Sequence, residues 1–192
     1  DIDPNEGEWK QRRGSNIKKI VDEVFVILPL EKEFYQQFNY EVDFVGHPLL
    51  DSIADREDVA FNDFCKTHHL SRKPIIALLP GSRKQEITSM LNLMLTVVDK
   101  FPGHQFVIAG APSQPLSFYK QLITADIALI ENKTYDLLQQ ATAAIVVSGT
   151  ATLETALFRV PQVVCYKTGR LFYHLAKLII KVKYISLVLY IR

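Results

Sequence analysis

With 192 residues, 48% of them hydrophobic and 22% charged, the chain has the composition of a globular protein and enough length for one domain with a buried core plus a further segment. The formal net charge of +1 gives no reason to expect a nucleic acid as a partner. Cys65 and Cys165 stand far apart and outside any CxxC pair, which argues against a disulfide framework or a cysteine metal site and is typical of reduced thiols in a cytosolic protein.

The charge is distributed unevenly along the chain. All 21 acidic residues lie at or before Glu154, whereas residues 155–192 contain seven Lys or Arg and no acid. A segment that is both basic and apolar favours contact with an anionic membrane surface. Lysines interrupt its apolar stretch well short of the ~20 residues that a spanning helix needs, and no secretory signal opens the sequence. We therefore expect a cytoplasmic protein that is peripheral to a membrane, with residues 170–192 forming an amphipathic basic tail helix.

Residues 1–48 are predicted to be the remnant of a preceding domain. Residues 1–8 lack any periodicity and are expected to lie outside the fold. Apolar patterns then predict a strand over 23–28, a helix over 31–38 and a strand over 42–45. Gly46 and Pro48 follow, as is usual in an interdomain link, and Asp51 is a candidate helix N-cap.

Residues 49–169 carry the pattern of an α/β domain. Short runs rich in Val, Ile and Leu alternate with helical periodicity, which predicts a doubly wound parallel sheet of the Rossmann-like kind, with helices on both faces. The predicted strands cover 75–79, 105–109, 127–130, 143–147 and 162–166, and the predicted helices cover 84–100, 116–123, 134–140 and 150–158.

The first candidate site is the turn between the strand over 75–79 and the helix that follows it. Gly81 and Ser82 allow unpaired backbone N–H groups and the positive end of a helix to face one point, where a phosphate binds well. Arg83 adds a guanidinium that can pair with diphosphate oxygens, and Glu86 lies in the first helical turn. The alternative is an ordinary helix start, with Ser82 as N-cap and Arg83 solvated.

A second turn of the same kind follows the strand over 143–147. Ser148, Gly149, Thr150 and Thr152 are small enough for a ligand to approach the backbone closely, and Glu154 is placed to accept hydrogen bonds from a ribose diol. The alternative role of Glu154 is to interact with the helix dipole. Because ligands bind at the carboxyl ends of strands in a doubly wound sheet, the two turns can converge on one ligand.

The chain resembles the carboxyl-terminal part of the lipid-A-disaccharide synthase family, whose members are glycosyltransferases with two Rossmann-like domains (the GT-B fold). Five strings carry the resemblance, in the family's order, and it covers about residues 9–187: ILPLEKEFY, FVGHPLLD, LLPGSRKQEI, VSGTATLETALF and VPQVVCYKTGRLFYHLAKLIIKVKYISL. It implies an inverting transfer of 2,3-diacylglucosamine from UDP-2,3-diacylglucosamine to 2,3-diacylglucosamine 1-phosphate, on the inner face of the bacterial inner membrane.

The resemblance also implies roles for particular residues. Residues 49–169 would bind the UDP of the donor, which is a substrate, and no cofactor or metal is implied. The implied UDP-binding residues are Gly81, Ser82, Arg83, Glu86, Ser148, Gly149, Thr150, Thr152 and Glu154. The catalytic base is not identified here, because the family's base and acceptor cleft belong to its amino-terminal domain. The isolated chain is therefore expected to be inactive.

One departure and three open alternatives accompany the resemblance. Family members usually continue YISL with Pro-Asn, whereas Val188 and Leu189 follow here, so an asparagine often assigned to the donor site is absent from the sequence. UDP-N-acetylglucosamine 2-epimerases share the fold and the donor site, which keeps an isomerase open. A non-enzymatic membrane-surface module is the other alternative, and a homodimer is also left open.

Overall fold

The computed structural model describes residues 20–54, 56–123 and 126–167. It contains two compact units, which divide between Arg56 and Glu57. Residues 1–8 and the predicted tail helix over 170–192 lie outside the described residues. The predicted domain boundary between residues 48 and 49 stays a prediction.

The first unit is a small α/β unit. It contains strand β1 (Phe25–Val26), helix α1 (Pro29–Gln36), strand β2 (Asp43–Phe44) and helix α2 (Pro48–Ala54). The two strands pair in parallel, with Phe25 opposite Asp43. The predicted order of strand, helix and strand is therefore confirmed, although both strands are shorter than expected.

Helices α1 and α2 both begin at a proline, because proline at the first helical position lacks the N–H that would otherwise need a partner. Helix α1 starts at Pro29 instead of at residue 31, and the Glu31 carboxylate accepts hydrogen bonds from the N–H groups of Ile27 (3.1 Å) and Leu28 (2.9 Å). Helix α2 starts at Pro48, so Asp51 lies inside its first turn and the predicted N-cap role is wrong.

The described part of the second unit contains five strands and their connecting helices. Helix α3 (Phe61–Thr67) comes first and was not predicted, because its apolar pattern is short and Ala60 at its N-cap offers no capping side chain. The remaining elements are β3 (Ile75–Leu79), α4 (Lys84–Leu95), β4 (Gln105–Gly110), α5 (Leu116–Leu122), β5 (Ala128–Glu131), α6 (Thr134–Gln140), β6 (Ala141–Val147), α7 (Thr150–Leu157) and β7 (Gln162–Cys165).

All pairings among β3–β7 are parallel, and the strand order is β5-β4-β3-β6-β7. The chain therefore builds the sheet outward from β3 to one side and then returns to continue from β3 to the other side. This is the doubly wound arrangement that the alternation of strands and helices predicts, and the predicted fold class is confirmed.

The core lies on both faces of this sheet, since successive side chains of a strand point to opposite faces. Ile75, Ala77 and Leu79 of β3 pack on one face with residues of α3 and α6, while Ile76 and Leu78 pack on the other with residues of α4 and α5. All five are buried, as a strand covered on both faces requires. None of the helices described here is long and apolar enough to cross a membrane.

Helix α4 ends earlier than predicted. It stops at Leu95, and a short 3-10 helix follows at Val98–Lys100. Thr96, Val97 and Val98 are all β-branched, which lowers their helix propensity, and the Thr96 N–H already bonds to the Leu93 carbonyl (3.2 Å) in the tighter 3-10 manner.

Candidate functional site

The candidate site lies at the carboxyl ends of β3 and β6, which are neighbours in the sheet although β4 and β5 separate them in sequence. The connections from these two strands run to opposite sides, so a crevice opens between the turns that follow them. A cleft of about 480 Å³ occupies this crevice. Its position is the one at which open parallel sheets bind their ligands.

Both predicted turns contribute to the lining of this cleft. The residues that were predicted as UDP-binding and that line it are Gly81, Ser82, Arg83, Glu86, Ser148, Gly149, Thr150 and Glu154. The residues that sequence reasoning did not single out are Leu79, Ala109, Ala111, Pro112, Thr134, Val147 and Ala151. The structure thus brings eight of the nine predicted residues to one cavity.

The first turn depends on glycine at position 81. Gly81 has φ +104°, a conformation that L side chains rarely adopt. A Cβ atom built there would also lie 2.8 Å from Glu86 Oε2 and 3.1 Å from Glu86 Cβ. Glycine therefore allows Glu86 to fold back against the turn.

Arg83, and not Ser82, is the N-cap of α4. Its backbone N–H donates to Glu86 Oε2 at 3.4 Å, and its guanidinium Nη1 donates to Glu86 Oε1 at 2.8 Å. The Arg83 side chain is 81% exposed and that of Glu86 is 34% exposed. An ion pair therefore stands at the entrance of the cleft, at the positive end of α4.

The ion pair keeps Glu86 ionised. Burial by itself would raise the pKa of this carboxyl. The opposing effects are together larger: hydrogen bonds from the side chain and backbone of Arg83, the charge of Arg83, and a hydrogen bond from the backbone of Ser82. The net pKa of Glu86 is therefore below its ordinary value. At neutral pH the Glu86 carboxylate is thus ionised and paired with the Arg83 guanidinium.

The loop after β4 anchors the first turn. Ser113 Oγ donates to the Ser82 carbonyl at 2.9 Å, and Gln114 Nε2 donates to the same oxygen at 3.3 Å. Tyr119, which is fully buried, accepts a hydrogen bond from the Ala111 N–H at 2.9 Å. Burial is the main cause that raises the pKa of Tyr119, so its hydroxyl stays protonated.

The loop after β4, which contributes Ala111 and Pro112 to the cleft, was not predicted as part of the site because it has no charged residue and no Gly-Ser pair. The available signal was the small-residue sequence Gly110-Ala111-Pro112 at the end of a predicted strand. Thr134 also lines the cleft, from the start of α6, and the pattern before it gave no indication of a site.

Two buried threonines stabilise the second turn and the start of α7 through hydrogen bonds to backbone carbonyls. Thr152 is fully buried, and its hydroxyl donates to the Gly149 carbonyl at 2.7 Å. Thr155, also fully buried, donates to the Ala151 carbonyl at 2.7 Å. The structure therefore places Thr152 under the turn, where it supports the backbone, while Ser148, Gly149 and Thr150 line the cleft.

Comparison with known proteins identifies the family. The model of the lipid-A-disaccharide synthetase family matches residues 2–191. The chain belongs to this family. Lipid-A-disaccharide synthase of Coxiella burnetii (strain Dugway 5J108-111) is 37% identical over 191 residues, covering 97% of this chain and 50% of that protein. The Syntrophus aciditrophicus enzyme of the same name is 39% identical over 197 residues, covering 97% and 51%.

The chain spans about half the length of the curated lipid-A-disaccharide synthases it matches. Membership of this family agrees with the predicted resemblance. The fold of the second unit, with its cleft at the switch point of the sheet, is the Rossmann-like half that the resemblance implies.

Gly81→Ala is expected to destabilise the domain by about 1–3 kcal/mol, because the positive φ is strained for alanine and the new methyl meets Glu86. Gly149→Ala is the matched control: Gly149 is in the extended region (φ 163°), and its Cβ position is open, so a change within about 0.5 kcal/mol is expected. Chemical denaturation measures both, and equal losses would contradict the special role of Gly81.

Proposed function

We propose that the chain is the donor-binding half of an inverting glycosyltransferase of lipid A biosynthesis. In this proposal it binds UDP-2,3-diacylglucosamine through the UDP group, and the acceptor is 2,3-diacylglucosamine 1-phosphate. The observation that carries the proposal is the convergence of the two predicted turns on one cleft at the switch point of the sheet.

The diphosphate is assigned to the first turn. Its N–H groups, the positive end of α4 and the Arg83 guanidinium are all donors or positive charges that favour phosphate oxygens. Ser148, Gly149 and Thr150 supply backbone and hydroxyl groups from the facing turn. Glu154, which lines the same cleft, accepts hydrogen bonds from the ribose hydroxyls.

These groups assist the reaction by stabilising the leaving group. The acceptor hydroxyl oxygen forms a bond to the anomeric carbon, the bond from that carbon to the UDP oxygen breaks, and a base takes the hydroxyl proton. Negative charge then develops on UDP, where Arg83 and the N-terminus of α4 are already oriented to receive it. The base and the acceptor site are assigned to the half of the relatives that this chain does not cover.

The location follows from the substrates. Both carry acyl chains, so we assign the protein to the cytoplasmic face of the inner membrane as a peripheral protein. The basic and apolar residues 170–192 are the proposed contact with anionic lipid. Sedimentation with liposomes tests this contact: binding should require anionic lipid and weaken with salt, and binding that ignores lipid charge would refute it.

Calorimetric titration with UDP, UMP and ADP tests the donor site. UDP should bind most tightly, UMP more weakly because it lacks the second phosphate, and ADP more weakly because its base differs. Failure of the folded chain to bind UDP would overturn the proposal. Equal affinity for UDP and ADP would show a diphosphate site without recognition of uracil.

A further inference from the structure

Glu86 presents a problem for any anion that enters the cleft. It lines the same cavity as Gly81, Ser82 and Arg83, and it is a carboxylate. Both of its oxygens already accept hydrogen bonds from Arg83, one from the guanidinium (2.8 Å) and one from the backbone N–H (3.4 Å). The donors expected to bind a phosphate are therefore occupied by a side chain of the protein.

The geometry of the turn directs these donors at Glu86. Hydrogen bonds from Ser113 and Gln114 hold the Ser82 carbonyl toward the loop after β4. In a trans, planar peptide the N–H points opposite to the carbonyl, so the Arg83 N–H points away from that loop and toward Glu86. Gly81 leaves the space in which the carboxylate sits, since Glu86 Oε2 is 2.8 Å from its Cβ position.

We infer that Glu86 is an internal competitor for the donor diphosphate and thereby lowers the affinity of the cleft for it. The carboxylate occupies the two donors that a phosphate would use, the backbone N–H and the guanidinium of Arg83. A nucleoside diphosphate displaces it, because the second phosphate reaches both donors and carries more negative charge. This inference rests on the proposed function, since it concerns the phosphate part of the same donor site.

Displacement is feasible because the hydrogen bonds described for the Glu86 side chain are made by its terminal carboxylate. Its carboxylate has partners on the turn, and a third of the side chain is exposed, so rotation can carry it into solvent. The Arg83 side chain, which is 81% exposed, is equally free to exchange one anion for another. A ligand that does not reach both donors leaves Glu86 in place, so its affinity does not depend on this competition.

Glu86→Gln tests the inference, since glutamine keeps the shape and removes the charge. The variant should bind UDP about three- to fivefold more tightly than the parent chain, the range for removing one partly exposed charge interaction. UMP affinity should stay the same. Glu86→Ala should change UDP affinity in the same direction, which guards against an effect peculiar to glutamine.

The matched control is Glu131→Gln, which removes one negative charge at the carboxyl end of β5, outside the residues that line the cleft. It should leave UDP affinity unchanged, and a similar gain there would show a general field effect and refute the inference. Unchanged or weaker UDP binding by folded Glu86→Gln would also overturn it, because Glu86 would then only support the turn. Thermal unfolding confirms that each variant is folded.

Inorganic pyrophosphate separates this inference from the proposed function. One result is that neither the parent chain nor Glu86→Gln binds UDP, but Glu86→Gln binds pyrophosphate more tightly than the parent. The assignment of a nucleotide then fails, while the competition between Glu86 and phosphate is supported. If the parent binds UDP and Glu86→Gln gains affinity for neither ligand, the competition fails and the donor site stands.

Discussion

Arg83→Ala should weaken UDP binding by about 1.5–3 kcal/mol, or about 10- to 150-fold in Kd, the range for a hydrogen bond to a charged group. Two losses add up in this variant. The diphosphate loses its guanidinium, and the Glu86 carboxylate, which Arg83 now neutralises at 2.8 Å, is left facing the phosphate alone. UMP binding should fall less, since its single phosphate does not extend to Arg83.

Lys84→Ala is the matched control for this experiment. Lys84 is the next residue along the chain and also carries one positive charge, but its ammonium lies 5.9 Å from the centre of the Phe118 ring. Its removal should change UDP affinity far less. Equal losses of UDP and UMP affinity in Arg83→Ala, or equal effects of Arg83→Ala and Lys84→Ala, would show that Arg83 does not bind the second phosphate.

The chain alone should bind UDP and form no disaccharide. Inverting transfer needs a base that accepts the proton of the acceptor hydroxyl, which raises the rate by about 10²- to 10⁴-fold. It also needs a site that orients the acceptor, which lowers the barrier by up to ~11 kcal/mol. The proposal places both in the half of the lipid-A-disaccharide synthases that this chain does not cover. The assay is disaccharide formation from UDP-2,3-diacylglucosamine and 2,3-diacylglucosamine 1-phosphate, with UDP release measured in parallel.

Adding the amino-terminal half of a relative, as a fusion or as a separate chain, should restore transfer. The same addition to the Arg83→Ala chain is the control and should restore much less, because the leaving group is then poorly stabilised. Turnover by the unassisted chain at the rate of a whole enzyme would show that the base is present here. Interconversion of UDP-sugar epimers by the completed protein would instead indicate an isomerase.

Much of the site could be predicted from short stretches of sequence. Strand, small-residue turn and helix start are local signals, and Gly81 and Gly149 each stand at such a junction. Eight of the nine predicted residues line the cleft for this reason. Thr152 does not, because a run of small residues does not show which side chains of the first helical turn face the sheet and which face the ligand.

The sequence by itself determined the alternation of strands and helices and the two turns, since apolar periodicity and Gly or Pro punctuation act over a few residues. Only the tertiary structure decided that β6 lies beside β3, which brings the two turns together. It also decided that Ser113 and Gln114 hold the Ser82 carbonyl, across more than thirty residues. Strand order and contacts of this kind depend on how whole layers pack, and no local pattern specifies them.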